Sequence, residues 1–281
     1  MKSKATIFIL ILVLCNCKLI AQQTFPLSEI CNTIDNNKPV LWPAMREGDV
    51  EFSKRVVRII DLREKKNQVL MYPRNALPVL LYEAIKSKKL VPYKNDSLTS
   101  VYSPEKVLTF GVDTQFIENP NPENPEETTL DTIVTAFDPL TRIYKIRIVE
   151  DWYYDKKHST YAIRLLMMAP VYKLKMAGID LGDQDLCVFR YYYNNTLKVN
   201  DIRNLLAKKC IFNRQNDAAM MSFDAFFEGR YFSSYVVKVS NQRDFYIKEQ
   251  AEYKDNGMDA ILENDNQQDQ LMKREQDQYE N

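Results

Sequence analysis

The chain contains one histidine, His158, set in "EDWYYDKKHSTYAIRLLMMAPVY" over residues 150–172. Imidazole moves protons near neutral pH, so a lone histidine is the first place to look for acid–base chemistry. Its surroundings argue against that role. It stands beside Lys156 and Lys157 at the tip of a turn, where cations favour the neutral ring and no orienting carboxylate is forced close. The spacing predicts a solvated turn residue. One histidine also leaves no His-Glu-x-x-His pair and no Cys/His set for zinc. Gly-x-Ser-x-Gly is absent, and the six glycines fall into neither a P-loop nor a dinucleotide fingerprint.

Carboxylates offer two further groupings. "DLGDQD" gathers Asp180, Asp183 and Asp185 around Gly182; the oxygens suit calcium, but the spacing is not that of an EF-hand loop, and a polar turn between strands is the expectation. Asp61 with Glu64, or Glu150 with Asp151, has the form of an acid–base pair. With 38 acidic residues such neighbours arise by chance and are ordinarily solvated. The reading assigns no catalytic residue, no metal site and no cofactor.

The elements that would hold these residues follow from patterning. With 281 residues, 45% of them hydrophobic, the chain can bury a sizeable core. Residues 1–21 read as a secretory signal peptide: Lys2 and Lys4, an apolar run from Ala5 to Cys15, then Ala21. Leu14 and Asn16 stand where a lipobox wants a small residue, so cleavage without lipidation is expected. Cys31, Cys187 and Cys210 remain, too few for a disulfide scaffold; one bridge plus a reactive thiol is one reading, and Cys187 as a small buried apolar residue is the favoured one.

The fold class expected is α+β. Residues 22–111 read as a helical N-terminal region. "DVEFSKRVVRIIDLREKKN" carries Phe52, Val56, Ile59 and Ile60 at helical spacing, with Glu51/Arg55 and Asp61/Lys65 as i,i+4 pairs. A second helix has Asn75 as cap and Leu77, Leu80, Leu81, Ala84 and Ile85 as its stripe; a third is capped by Ser103, started by Pro104 and stopped by Gly111. Residues 112–140 hold three Asn-Pro steps among carboxylates and read as an exposed linker or long loop.

Residues 141–250 form the predicted α+β core region. Ile146, Ile148, Trp152 and Tyr154 share one strand face, and Tyr161, Ile163, Leu165, Met167 and Ala169 share one on the next, joined by "DKKHS". "DLCVFRYYY" completes an antiparallel three-stranded meander, and helices follow in "VNDIRNLLAKK" and "SFDAFFEGRYFSSYVVKVS", the latter capped by Ser222 or Asp224. Residues 251–281 hold nine acidic residues against three basic ones around isolated Ile261, Leu262, Leu271 and Met272. They read as a disordered acidic tail able to dock a short helix on a partner. No basic stripe argues for nucleic acid.

Aromatic density stands out. Arg230, Phe232 and Tyr235 recur at near-helical spacing, and Tyr191, Tyr192 and Tyr193 must put rings on both faces of a strand; aromatics and Arg anchor interfaces, so these six are the candidate partner-interface residues.

Three stretches resemble the GldN/PorN family of the type IX secretion and gliding machinery: "SKRVVRIIDLREKKN" (53–67), "RIVEDWYYDKKHSTYAIRLLMMAPV" (147–171) and "FNRQNDAAMMSFDAFFEGRYFSSYVVKVSN" (212–241). The resemblance implies a non-enzymatic periplasmic component that assembles, with further copies of itself and a GldK/PorK-like lipoprotein, into a ring beneath the outer membrane. It also implies approach to the GldM/PorM-like periplasmic region of the inner-membrane motor. The competing classes are a periplasmic glycan- or peptide-binding module and a hydrolase.

Overall fold

The computed structural model describes residues 39, 42, 43, 45–120, 128–176, 179–191, 202–213 and 221–280. The signal peptide, Cys31, Tyr192 and Tyr193 lie outside them. Strand β1 (Val50–Asp61) leads to helices α1 (Leu77–Lys86) and α2 (Pro104–Leu108). Strands β2 (Asp113–Pro120) and β3 (Thr128–Thr135) come next, then α3 (Pro139–Arg142), β4 (Ile143–Asp155), β5 (Thr160–Met176), β6 (Ile179–Asp185) and β7 (Phe189–Arg190). The chain continues through α4 (Ile202–Ala207), β8 (Cys210–Ile211), β9 (Met221–Ser222), α5 (Phe223–Glu228), β10 (Tyr235–Val239) and α6 (Gly257–Glu280). An antiparallel sheet in the order β10-β1-β4-β5-β6, with β7 also on β5, is the frame.

The mixed α+β class holds, but its predicted parts differ. The expected three-stranded meander is part of a six-stranded sheet: "DLCVFRYYY" contributes only the two-residue β7, residues 179–185 supply the strand β6 that follows and pairs β5, and Tyr235–Val239, read as helix, is strand β10. Residues 50–61 are a strand, not a helix. Val56, Val57, Arg58 and Ile60 are all buried, because β1 lies between β10 and β4 and is covered on both faces. A strand buried on both sides loses its alternation, and its closely spaced apolar residues then imitate a helical stripe. The β-branched residues lose χ1 freedom in a helix but fit a pleated surface. Arg55 accordingly pairs with Asp151 directly across on β4, at 2.7 and 2.9 Å, and Asp61 with Arg63.

The Asn-Pro segment is a hairpin in its described parts, since β2 and β3 pair from Asp113↔Thr135 to Pro120↔Thr128; residues 121–127 fall outside the description. Asn75 is not the cap of α1. Ala76 holds that position, and the Asn75 amide donates instead to the Cys210 carbonyl at 3.0 Å. The acidic tail is the 24-residue helix α6, started by Asn256, whose side chain accepts from Met258 N at 3.1 Å. Ala260 and Leu271, eleven residues or about three turns apart, fall on one face and pack with Val56, Trp152, Val236 and Ile247. Two anchors so far apart escape a periodicity count.

Hairpin β4–β5 stands as expected, with one refinement. Its register shifts between Val149↔Met167 and Glu150↔Leu165, so Leu166 is the extra residue of a bulge. Leu165 therefore packs with Ile146, Ile148 and Met168, whereas Met167 and Ala169 lie on the opposite face with Val57, Val149 and Tyr93. On the first face α1 lays down Leu77, Leu81, Ala84 and Ile85, and α5 adds Phe223, Phe226 and Phe227. Each of these leucine, isoleucine and phenylalanine side chains contributes about 1.5–3 kcal/mol when fully buried. Gly111 has φ +70°, and a Cβ there would fall 2.6 Å from the Phe137 ring, so the turn after α2 requires glycine.

Candidate functional site

His158 sits at the β4–β5 turn with its side chain 61% exposed. It does have a carboxylate partner, contrary to the sequence expectation: His158 Nδ1 lies 2.6 Å from Asp155 Oδ2. Asp155 also accepts from the backbone N–H groups of Lys157 and His158, and the His158 bond heads the contacts that hold its carboxyl below the usual range. These are contacts that close a turn.

The paired carboxylates do not converge. Glu150 and Asp151 are successive strand residues and point to opposite faces. Asp151 is held by Arg55, and Asp61 by Arg63 at 2.9 and 2.5 Å. "DLGDQD" is not a turn but part of edge strand β6, bulged at Gly182, whose φ is +96°. Tyr144 and Lys145 both donate to Asp183, the latter at 2.8 Å, and Arg147 bridges Asp185 and Asp96 at 2.7–2.9 Å. Among the described residues no group of three or more His, Cys, Asp or Glu side chains could hold a metal ion. Cys187 carries a free thiol, 1% exposed, and burial pushes its pKa up. Cys210 is equally buried, in β8.

A charged centre that sequence reasoning missed lies in the middle of the sheet. Glu150 is 0% exposed; its Oε1 accepts from Arg230 Nη1 at 2.8 Å and its Oε2 from Trp152 Nε1 at 3.1 Å. Arg58, also on this face, donates to Ser234 Oγ and to Gln268 Oε1 of α6, at 2.9 and 3.0 Å. Burial pulls its pKa down to about 10, partly offset by Glu150. A second buried ion pair joins α4 to α5: Arg203, 1% exposed, meets Asp224 at 2.8 Å, and Tyr191 donates to the same carboxylate oxygen at 3.0 Å. The available signal was a charged residue at an inward position of an alternating strand, as Glu150 is between Ile148 and Trp152.

The candidate interface residues divide accordingly. Tyr191 is fully buried, Phe232 is 6% exposed and packs against Phe226 and Phe227, and Tyr235 pairs with Ile59 at the start of β10. Arg230, Phe232 and Tyr235 share no helix face: α5 ends at Glu228, and Arg230 turns the chain with φ 53°. Its guanidinium lies over the Trp152 and Phe232 rings at 5.5 and 5.4 Å. No helix among the described residues is long and apolar enough to cross a membrane.

An antiparallel sheet with helices packed on it, and with its most buried charges paired to one another, defines an α+β protein whose polar centres hold the fold together. Residues 45–280 match the family of gliding motility associated protein GldN. The chain belongs to that family and is thereby associated with gliding motility. No curated protein matches it.

Proposed function

We propose that this protein is a non-catalytic structural component of the type IX secretion and gliding machinery. In this reading it is exported to the periplasm and assembles with a GldK/PorK-like lipoprotein into a ring beneath the outer membrane, facing a GldM/PorM-like part of the motor. The family match across residues 45–280 carries the reading. It is supported by the engagement of the groups a hydrolase would use: His158 with Asp155, Glu150 with Arg230, Asp151 with Arg55 and Asp183 with Lys145. Purification of the tagged protein from solubilised outer membranes tests it. The expected result is recovery of a lipoprotein at fixed stoichiometry in particles far larger than 33.0 kDa. A monomer free of lipoprotein would overturn the reading.

A further inference from the structure

We propose that the outer face of α6 is the docking surface for a protein partner that presents apolar side chains ringed by lysine or arginine. A helix turns about 100° per residue, which puts Met258, Ile261, Leu262 and Met272 inside one arc of roughly 100°. That arc lies well round from Ala260 and Leu271, the two residues α6 buries against the sheet. The four side chains are 64, 55, 60 and 43% exposed, and they account for four of the nine large hydrophobic residues exposed among the described residues. A helix that served only as a cover would turn its apolar residues inward. Here amides and an arginine face the sheet instead: Gln268 accepts from Arg58, and Arg274 lies over the Phe52 ring at 4.4 Å.

Charge selects the occupant. Asp265 and Asp269 are exposed within the same arc, between Leu262 and Met272, and Asp255 and Asp259 stand at its N-terminal end. Anionic lipid is repelled by this rim. A second copy paired helix to helix would set the same aspartates against each other. A basic partner gains both apolar burial and opposite charge, and like-charge juxtaposition excludes the others. The inference deepens the reading above and rests on it only for the existence of a protein partner.

A photo-crosslinking residue placed at Leu262 of the full chain in the native host, with Gln270 on the far flank as control, tests it. The expected product at position 262 is one protein whose crosslinked peptide carries lysine or arginine among apolar residues, at a yield at least tenfold above position 270. Met258→Gln with Ile261→Gln, and separately Asp265→Lys with Asp269→Lys, should each lower that yield about tenfold at unchanged melting temperature, because all four side chains are exposed. An adduct to a second copy, to lipid or to a peptide without basic residues would overturn the proposal. So would yields at 262 no higher than at 270. If the lipoprotein still co-purifies in that last case, the surface is wrong and the ring reading stands.

Discussion

Arg230 Nη1 lies 2.8 Å from Oε1 of Glu150, a carboxylate with no exposed surface at the centre of the sheet. Arg58 shares that carboxylate through space while its own hydrogen bonds go to neutral Ser234 and Gln268. One buried anion therefore balances two cations. Removing a partner from such a pair strands a charge and costs about 3–5 kcal/mol. Arg230→Ala should lower stability by that amount, about 10 °C in melting temperature for a chain of this size. Glu150→Gln should be at least as damaging. In urea denaturation the double variant Glu150→Gln/Arg230→Ala should lose about 1–3 kcal/mol less than the two single losses added together. Additive losses would show that the pair is not coupled. Any assembly defect of Arg230→Ala has to be judged against its stability for this reason.

His158 is expected to be dispensable. Its ring is mostly exposed, and a contact that exposed to water contributes little to stability. His158→Ala should keep secretion at normal protein level. Asp155→Ala, which also loses the two backbone bonds that close the turn, should be the more destabilising of the two. Paired thermal melts and a secretion assay give the order; a secretion loss in His158→Ala at normal abundance reverses it.

Acid should unfold the protein through carboxylates whose partners are cations. Asp61 is held low by Arg63, and Asp183 is held low because Lys145 and Tyr144 outweigh its burial. A carboxylate with a depressed folded pKa contributes stability above its unfolded value, near 3.9, and loses it as pH falls through the folded value. Melting temperature should fall below about pH 4. Asp61→Asn with Asp183→Asn should flatten that fall. Glu228, raised by burial, has the opposite sign: its contribution is present at low pH and lost as pH rises.

Leu271 should be the anchor of α6. It is 6% exposed against Val56, Trp152, Val236 and Ile247, and truncating a buried leucine costs about 2–5 kcal/mol. Leu271→Ala should release the helix and leave the sheet, so limited proteolysis should cut within residues 251–256 in the variant and not in the wild type. Equal resistance of the two would show that the polar contacts of Gln268 and Arg274 suffice.

Cys187 should react with iodoacetamide only after unfolding. Burial raises its pKa and leaves 1% of the residue exposed, so neither thiolate nor access is available in the folded chain. Modification at the rate of a free thiol under native conditions would contradict this.

Hairpin β4–β5, the Ser103-Pro104 start of α2 and the Ser222 cap of α5 were legible in the sequence. Each is a local pattern, a period of two or a side-chain oxygen reaching a backbone N–H 3.1–3.3 Å away. The absence of a phosphate-binding loop or a zinc motif was equally local. Three things were decided by tertiary structure. β1 is a strand because β10, from the other end of the chain, joins β4 in covering its flanks, and no window of residues around Val56 contains that partner. α6 is a docked helix because Ala260 and Leu271 meet a surface already made by Val56, Trp152 and Val236. Arg230 faces inward because Glu150, eighty residues earlier, is buried where a cation must reach it. Periodicity records how each segment divides apolar from polar; which segments become neighbours depends on burial and charge pairing between distant parts of the chain, and that is where strand, helix and buried ion pair were chosen.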